Sequence, residues 1–75
     1  VLTLAYDYSK LLGRIIEKYS TQAAFAEAME LSERSLSLKL NGHRGWKQTE
    51  IAKACSLLEL SGADIPEYFF TLKVQ

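Results

Sequence analysis

Seventy-five residues with no net formal charge and 48% hydrophobic side chains describe one small globular domain, not a disordered or fibrous chain. One cysteine and one histidine exclude an intrachain disulfide and a Cys/His metal centre. No apolar run reaches the roughly 18 residues of a membrane span and no secretory leader is read, so the expected setting is a reducing bacterial cytoplasm.

Residues 1–7 and 71–75 read as arms. Leu2-Thr3-Leu4 alternates over too few positions to choose between an extended segment and a short strand. Asp7 and Ser9 are both candidate caps for a first helix. Leu11, Leu12, Ile15, Ile16 and Tyr19 then form a stripe at helical spacing, and Lys10, Arg14, Glu17 and Lys18 lie off it. Gly13 inside this helix costs about 1 kcal/mol relative to Ala, which close packing would justify.

Ser20-Thr21 breaks the first helix and caps a second. Phe25, Ala26 and Met29 share one face of it. Glu30-Leu31-Ser32 is too short for anything but a turn, and Ser32 is a good N-cap for a third helix. That helix turns Leu36 and Leu40 inward and is expected to expose Glu33, Arg34, Ser37 and Lys39. Asn41-Gly42 stops it, since both residues tolerate the left-handed conformation. Two short helices with this turn are expected to cross steeply, with small Ala26 at the crossing and Leu31 beneath both.

A basic loop, His43-Arg44-Gly45, follows, and Trp46 beside a helix start reads as a core anchor. Ile51, Ala54, Cys55 and Leu58 recur at i, i+3, i+4 and i+7 in a fourth helix from Lys47 to Leu58, which makes Cys55 a small buried hydrophobe. Leu60-Ser-Gly ends that helix. Asp64 caps a short fifth helix around Pro66. Tyr68, Phe69 and Phe70 complete the core, and any ring left exposed is a candidate dimer contact. The tail from Thr71 alternates, and can pair with Leu2-Thr3-Leu4 or with the same tail of a second subunit.

The stretch from Gln22 to Gly42 resembles the helix-turn-helix of the lambda-repressor and Cro-like superfamily. The features that carry the likeness are Gln22 opening the first helix, Ala26 at the crossing, Leu31 in the turn, Leu36 and Leu40 inward, and Asn41-Gly42 at the end. The likeness extends loosely from Tyr8 to Phe70, and the ending Glu67 to Val74 is similar to that of small phage Cro-type proteins. Glu30 stands where the family usually has Gly, so a non-Gly residue with positive φ is expected there. The resemblance implies an all-α, five-helix DNA-binding domain with its helix-turn-helix at about residues 21–42.

The resemblance further implies that Glu33, Arg34, Ser35, Ser37 and Leu38 read base edges. Gln22 and Asn41 would contact phosphates on the same pattern. Lys39, His43, Arg44 and Lys47 join the phosphate contacts on charge and position. The partner would be a double-stranded DNA operator bound by a homodimer, and the action would be occlusion of a promoter by a phage or prophage repressor. Arg34 to Lys53 supports this with five cations and one carboxylate, a local surplus of four that the rest of the chain cancels. The overall neutrality, together with Glu33 on the third helix, supports a second class: a protein-interaction module, such as an antitoxin or adaptor, with little DNA binding. No phosphate loop, nucleophile elbow or metal spacing points to an enzyme, and no cofactor or small-molecule ligand is expected.

Overall fold

The computed structural model describes residues 6–73. Over these the chain is all-α, with five helices: α1 (Ser9–Tyr19), α2 (Gln22–Met29), α3 (Glu33–Leu40), α4 (Gln48–Leu58) and α5 (Ile65–Phe69), the last entered through a 3-10 turn at Gly62–Asp64.

Each helix boundary has a local cause. Tyr8, not Ser9, is the cap position of α1, and Asp7 before it supplies the side-chain bond: its Oδ1 accepts the Ser9 N–H at 2.9 Å, which holds the Asp7 carboxyl below its usual pKa. Thr21 Oγ1 accepts the Ala24 N–H at 3.1 Å and Ser32 Oγ accepts the Ser35 N–H at 3.0 Å, which starts α2 and α3. Glu30 closes α2 in the left-handed region at φ 62°, as the departure from Gly requires. Gly42, at φ 79°, turns the chain out of α3. The fourth helix starts one residue later than expected, because Glu50 Oε1 accepts the Lys47 N–H at 2.8 Å and makes Lys47 the cap position.

One core holds these helices together. Leu11, Ile15, Phe25, Leu36, Leu58 and Phe69 are fully buried, with Ala26 and Ala54 buried among them. Trp46 anchors that core, as expected, with its ring edge-on to Phe69 at 5.2 Å and 6.3 Å from Tyr8. Cys55 is buried, and burial pushes its thiol pKa up. Two expectations for α1 fail. Ile16 is 44% exposed: the buried line runs Leu11, Ile15, Tyr19, and a residue next to Ile15 points about 100° away from it. Gly13 serves no close approach among the described residues either, since an added Cβ would meet none of their atoms within 4 Å.

The two ends of the described chain meet. Tyr6 and Leu72 form an isolated antiparallel bridge, and the Asp7 N–H donates to the Thr71 carbonyl at 2.7 Å. Phe70, 48% exposed, packs edge-on against Tyr6 at 5.6 Å. The expected pairing through Leu2-Thr3-Leu4 lies outside the described residues, as does the end of the tail. Among the described residues no helix is long and apolar enough to cross a membrane.

Candidate interaction surface

The turn between α2 and α3 presents one face of α3. Ser32 fixes its start, and the Leu31 N–H donates to the Ala26 carbonyl at 2.9 Å, drawing the turn in over the core. Glu33 and Arg34 are exposed on this face; Ser35, Ser37 and Leu38 are half-buried along it. The loop after α3 folds back beside it. The His43 and Arg44 amides both donate to the Leu38 carbonyl, at 2.9 and 3.2 Å. Arg44 Nη1 donates to Ser35 Oγ at 3.0 Å, so its guanidinium lies along the first turn of α3. Ser35 and Arg44 are thereby joined, with exposed Arg34 next to Ser35 on α3 and exposed His43 and Lys47 on the adjoining loop.

Lys39 is not on that face. It is 3% exposed, against the expectation of a solvent-facing phosphate contact. Its Nζ donates to the Gly45 carbonyl at 3.0 Å and to Glu50 Oε1 at 2.8 Å, and stands 5.9 Å from the centre of the Trp46 ring. The reason is periodicity. Leu36, Lys39 and Leu40 stand at i, i+3 and i+4, so Lys39 falls on the inward face, and its charge is tolerated there because Glu50 neutralises it. That spacing was the signal in the sequence; the positive charge overrode it. Burial pushes the Glu50 carboxyl pKa up, but the bonds from Lys39 and the Lys47 amide outweigh burial and hold it below its usual value. The Trp46 indole Nε1, in the same place, is buried with no hydrogen-bond partner among the described residues.

Two other predicted phosphate contacts come together elsewhere. Gln22 and Asn41 line a cleft of about 240 Å³, with Tyr8, Leu40 and Lys73. The exposed Asn41 amide is turned back on α3, because its Nδ2 donates to the Ser37 carbonyl at 2.9 Å and to Ser37 Oγ at 3.2 Å.

The ion pairs sort the cations. Lys10 pairs with Glu67, Arg14 with Glu17, Lys18 with Glu59, Lys39 with Glu50 and Lys53 with Glu30. Among the described residues Arg34, Arg44, Lys47 and Lys73 have no carboxylate partner, and the first three lie on α3 and its following loop. Sequence reasoning missed this division, because pairing across helices has no local signature. No group of three His, Cys, Asp or Glu side chains able to hold a metal occurs among the described residues.

A small all-α domain with this surface belongs to the family described as "Protein of unknown function (DUF739)", whose model matches residues 4–72. The chain is also similar to the modulator of repression (MOR) of the temperate bacteriophage TP901-1 from Lactococcus lactis, known from a solution structure. The two are 59% identical, the match covers 95% of this chain and 96% of that one, and the TM-score is 0.79. No curated protein matches the chain. These findings support a phage regulatory role and an all-α regulator fold; the lambda-repressor and Cro-type part of the resemblance is not among them.

Proposed function

We propose that this protein modulates repression in a temperate phage or prophage by binding a repressor protein, in the cytoplasm of the bacterial host. The likeness to a modulator of repression over nearly the whole chain carries this reading. Three features support it. The chain has no net charge, whereas affinity for a DNA backbone grows with the number of phosphates neutralised. Lys39 is internal and the Asn41 amide is occupied, which removes two groups a phosphate backbone would use. Glu33 stands exposed on α3, where it would repel a polyanion yet fit a protein surface of mixed charge.

A second reading keeps the operator. It draws on the sequence resemblance, on α2, the turn and α3, and on Arg34, Arg44 and Lys47, which lie on α3 and its following loop with no ion pair among the described residues. In it the protein is a Cro-type repressor that binds as a dimer, with half-sites about 34 Å apart on one face of the duplex. Neither reading involves catalysis or a cofactor.

The experiment that separates them is calorimetric titration of the protein with the repressor from the same phage genome, beside gel shifts on DNA from the intergenic region. Micromolar or tighter repressor binding, with DNA binding no stronger than to random sequence, supports the first reading. Sequence-specific DNA binding without repressor binding overturns it.

A further inference from the structure

We propose that Lys39 is the positioning residue of the interaction surface: one buried ammonium locks the loop after α3, so that Arg44 and Lys47 are held in register with Arg34 for an acidic face of a partner protein. This rests on the repressor-binding reading and adds the surface, its chemistry and the residue that sets it.

Glu50 Oε1 receives both the Lys39 ammonium and the Lys47 backbone N–H, each at 2.8 Å. Lys39 also reaches the Gly45 carbonyl at 3.0 Å. A single charge centre thus joins α3, the middle of the loop and the first turn of α4. Apart from it, the loop is held by the paired bonds to the Leu38 carbonyl, by the Arg44 contact to Ser35 and by Trp46, packed on Tyr8 and Phe69. Trp46 pins the loop to the core, but Gly45 and Lys47 on either side of it are exposed, so burial contributes little to the order of those two residues. Lys39 is the one buried charged residue among those described, and its burial is tolerable only with its partners in place. The loop is therefore preset before binding, which spares the cost of ordering Arg44 and Lys47 when a partner arrives.

The partner's chemistry follows from which charges remain. Lys10, Arg14, Lys18 and Lys53 already face carboxylates of this chain. Among the described residues Arg34, Arg44 and Lys47 form no ion pair, Lys47 acting on Glu50 only at longer range, and an acidic patch on a folded partner is their complement. Glu33 on the same helix favours such a discrete patch over a continuous polyanion.

The test compares Lys39→Met, the charge-neutral double variant Lys39→Met/Glu50→Gln, and Arg44→Gln. Amide exchange by NMR is read at His43, Arg44 and Lys47 and at core helix amides. Binding to the repressor from the same genome is measured across a salt series. The double variant guards against Lys39→Met failing to fold with Glu50 stranded. If the clamp operates, exchange at the three loop amides rises at least tenfold over any rise in the core, and the double variant binds the repressor at least tenfold more weakly with an unchanged salt slope. Arg44→Gln should weaken binding and flatten the slope, as loss of a direct charge contact does. Unchanged loop exchange in the double variant overturns the clamp, whether or not the repressor binds. Loss of DNA binding but not repressor binding on Arg44→Gln overturns the acidic-partner assignment.

Discussion

Glu30 and Glu59 close α2 and α4 with the same geometry. Each is left-handed, at φ 62° and 57°. Each is followed by a leucine whose amide donates five residues back, Leu31 to Ala26 at 2.9 Å and Leu60 to Cys55 at 2.8 Å. Both leucines pack against the core, so the two endings act as matched corners. The left-handed region costs a residue with a Cβ about 1–2 kcal/mol, and glycine gives part of that back to its own chain entropy. Glu30→Gly and Glu59→Gly should therefore each stabilise the fold by about 0.5–1 kcal/mol. Urea unfolding of the single variants checks this, and a loss of stability in both would contradict it.

Gly13 is exposed in the middle of α1 and touches nothing that needs the space. Gly13→Ala should raise stability by about 1 kcal/mol, the ordinary helix-propensity difference. A thermal melt that moves down would mean that Gly13 has a role outside this structure's contacts.

Acid should loosen the α3–α4 connection. The folded Glu50 pKa lies below the usual glutamate value. The stabilisation it brings is therefore complete above that value and is lost as pH falls through the lower folded one. In Glu50→Gln the stability should decline less steeply between about pH 5 and pH 3. Denaturant midpoints over that range read the difference; parallel curves for the two proteins would count against the pair.

Arg34→Ala separates the two functional readings. It should weaken repressor binding by about 1–3 kcal/mol if α3 faces a partner protein. On an operator it would cost a similar 1–3 kcal/mol and relax preference at one position of each half-site. Glu33→Gln should raise affinity for any DNA by removing a repelling charge. If neither substitution changes repressor or DNA binding, α3 is not the contact surface.

Most of the fold was legible because its cues are local. Thr21 and Ser32 before apolar runs set two helix starts, and the spacing of Phe25, Ala26 and Met29 set the inward face of α2. The site was less legible because its arrangement is not local. Lys39 and Glu50 are 11 residues apart, on different helices, and only tertiary packing brings them to 2.8 Å. Charge alone suggested that Lys39 faces solvent, yet the inward spacing of its helix decides otherwise. Asn41 is similar: its type suggests a hydrogen bond to a partner, and the fold directs that bond to Ser37.

Trp46 is the chain's one tryptophan. It stands where the start of α1 (through Tyr8), α5 (through Phe69) and the loop after α3 meet, with the Lys39 ammonium near its ring. Its emission is thus an unlabelled optical probe of that junction. Opening of the loop admits water to the indole and should shift the emission to the red. Docking against the loop should leave the wavelength in place while changing the intensity. One fluorimeter trace can then tell a partner that seats on a preset surface from one that must first pry it open.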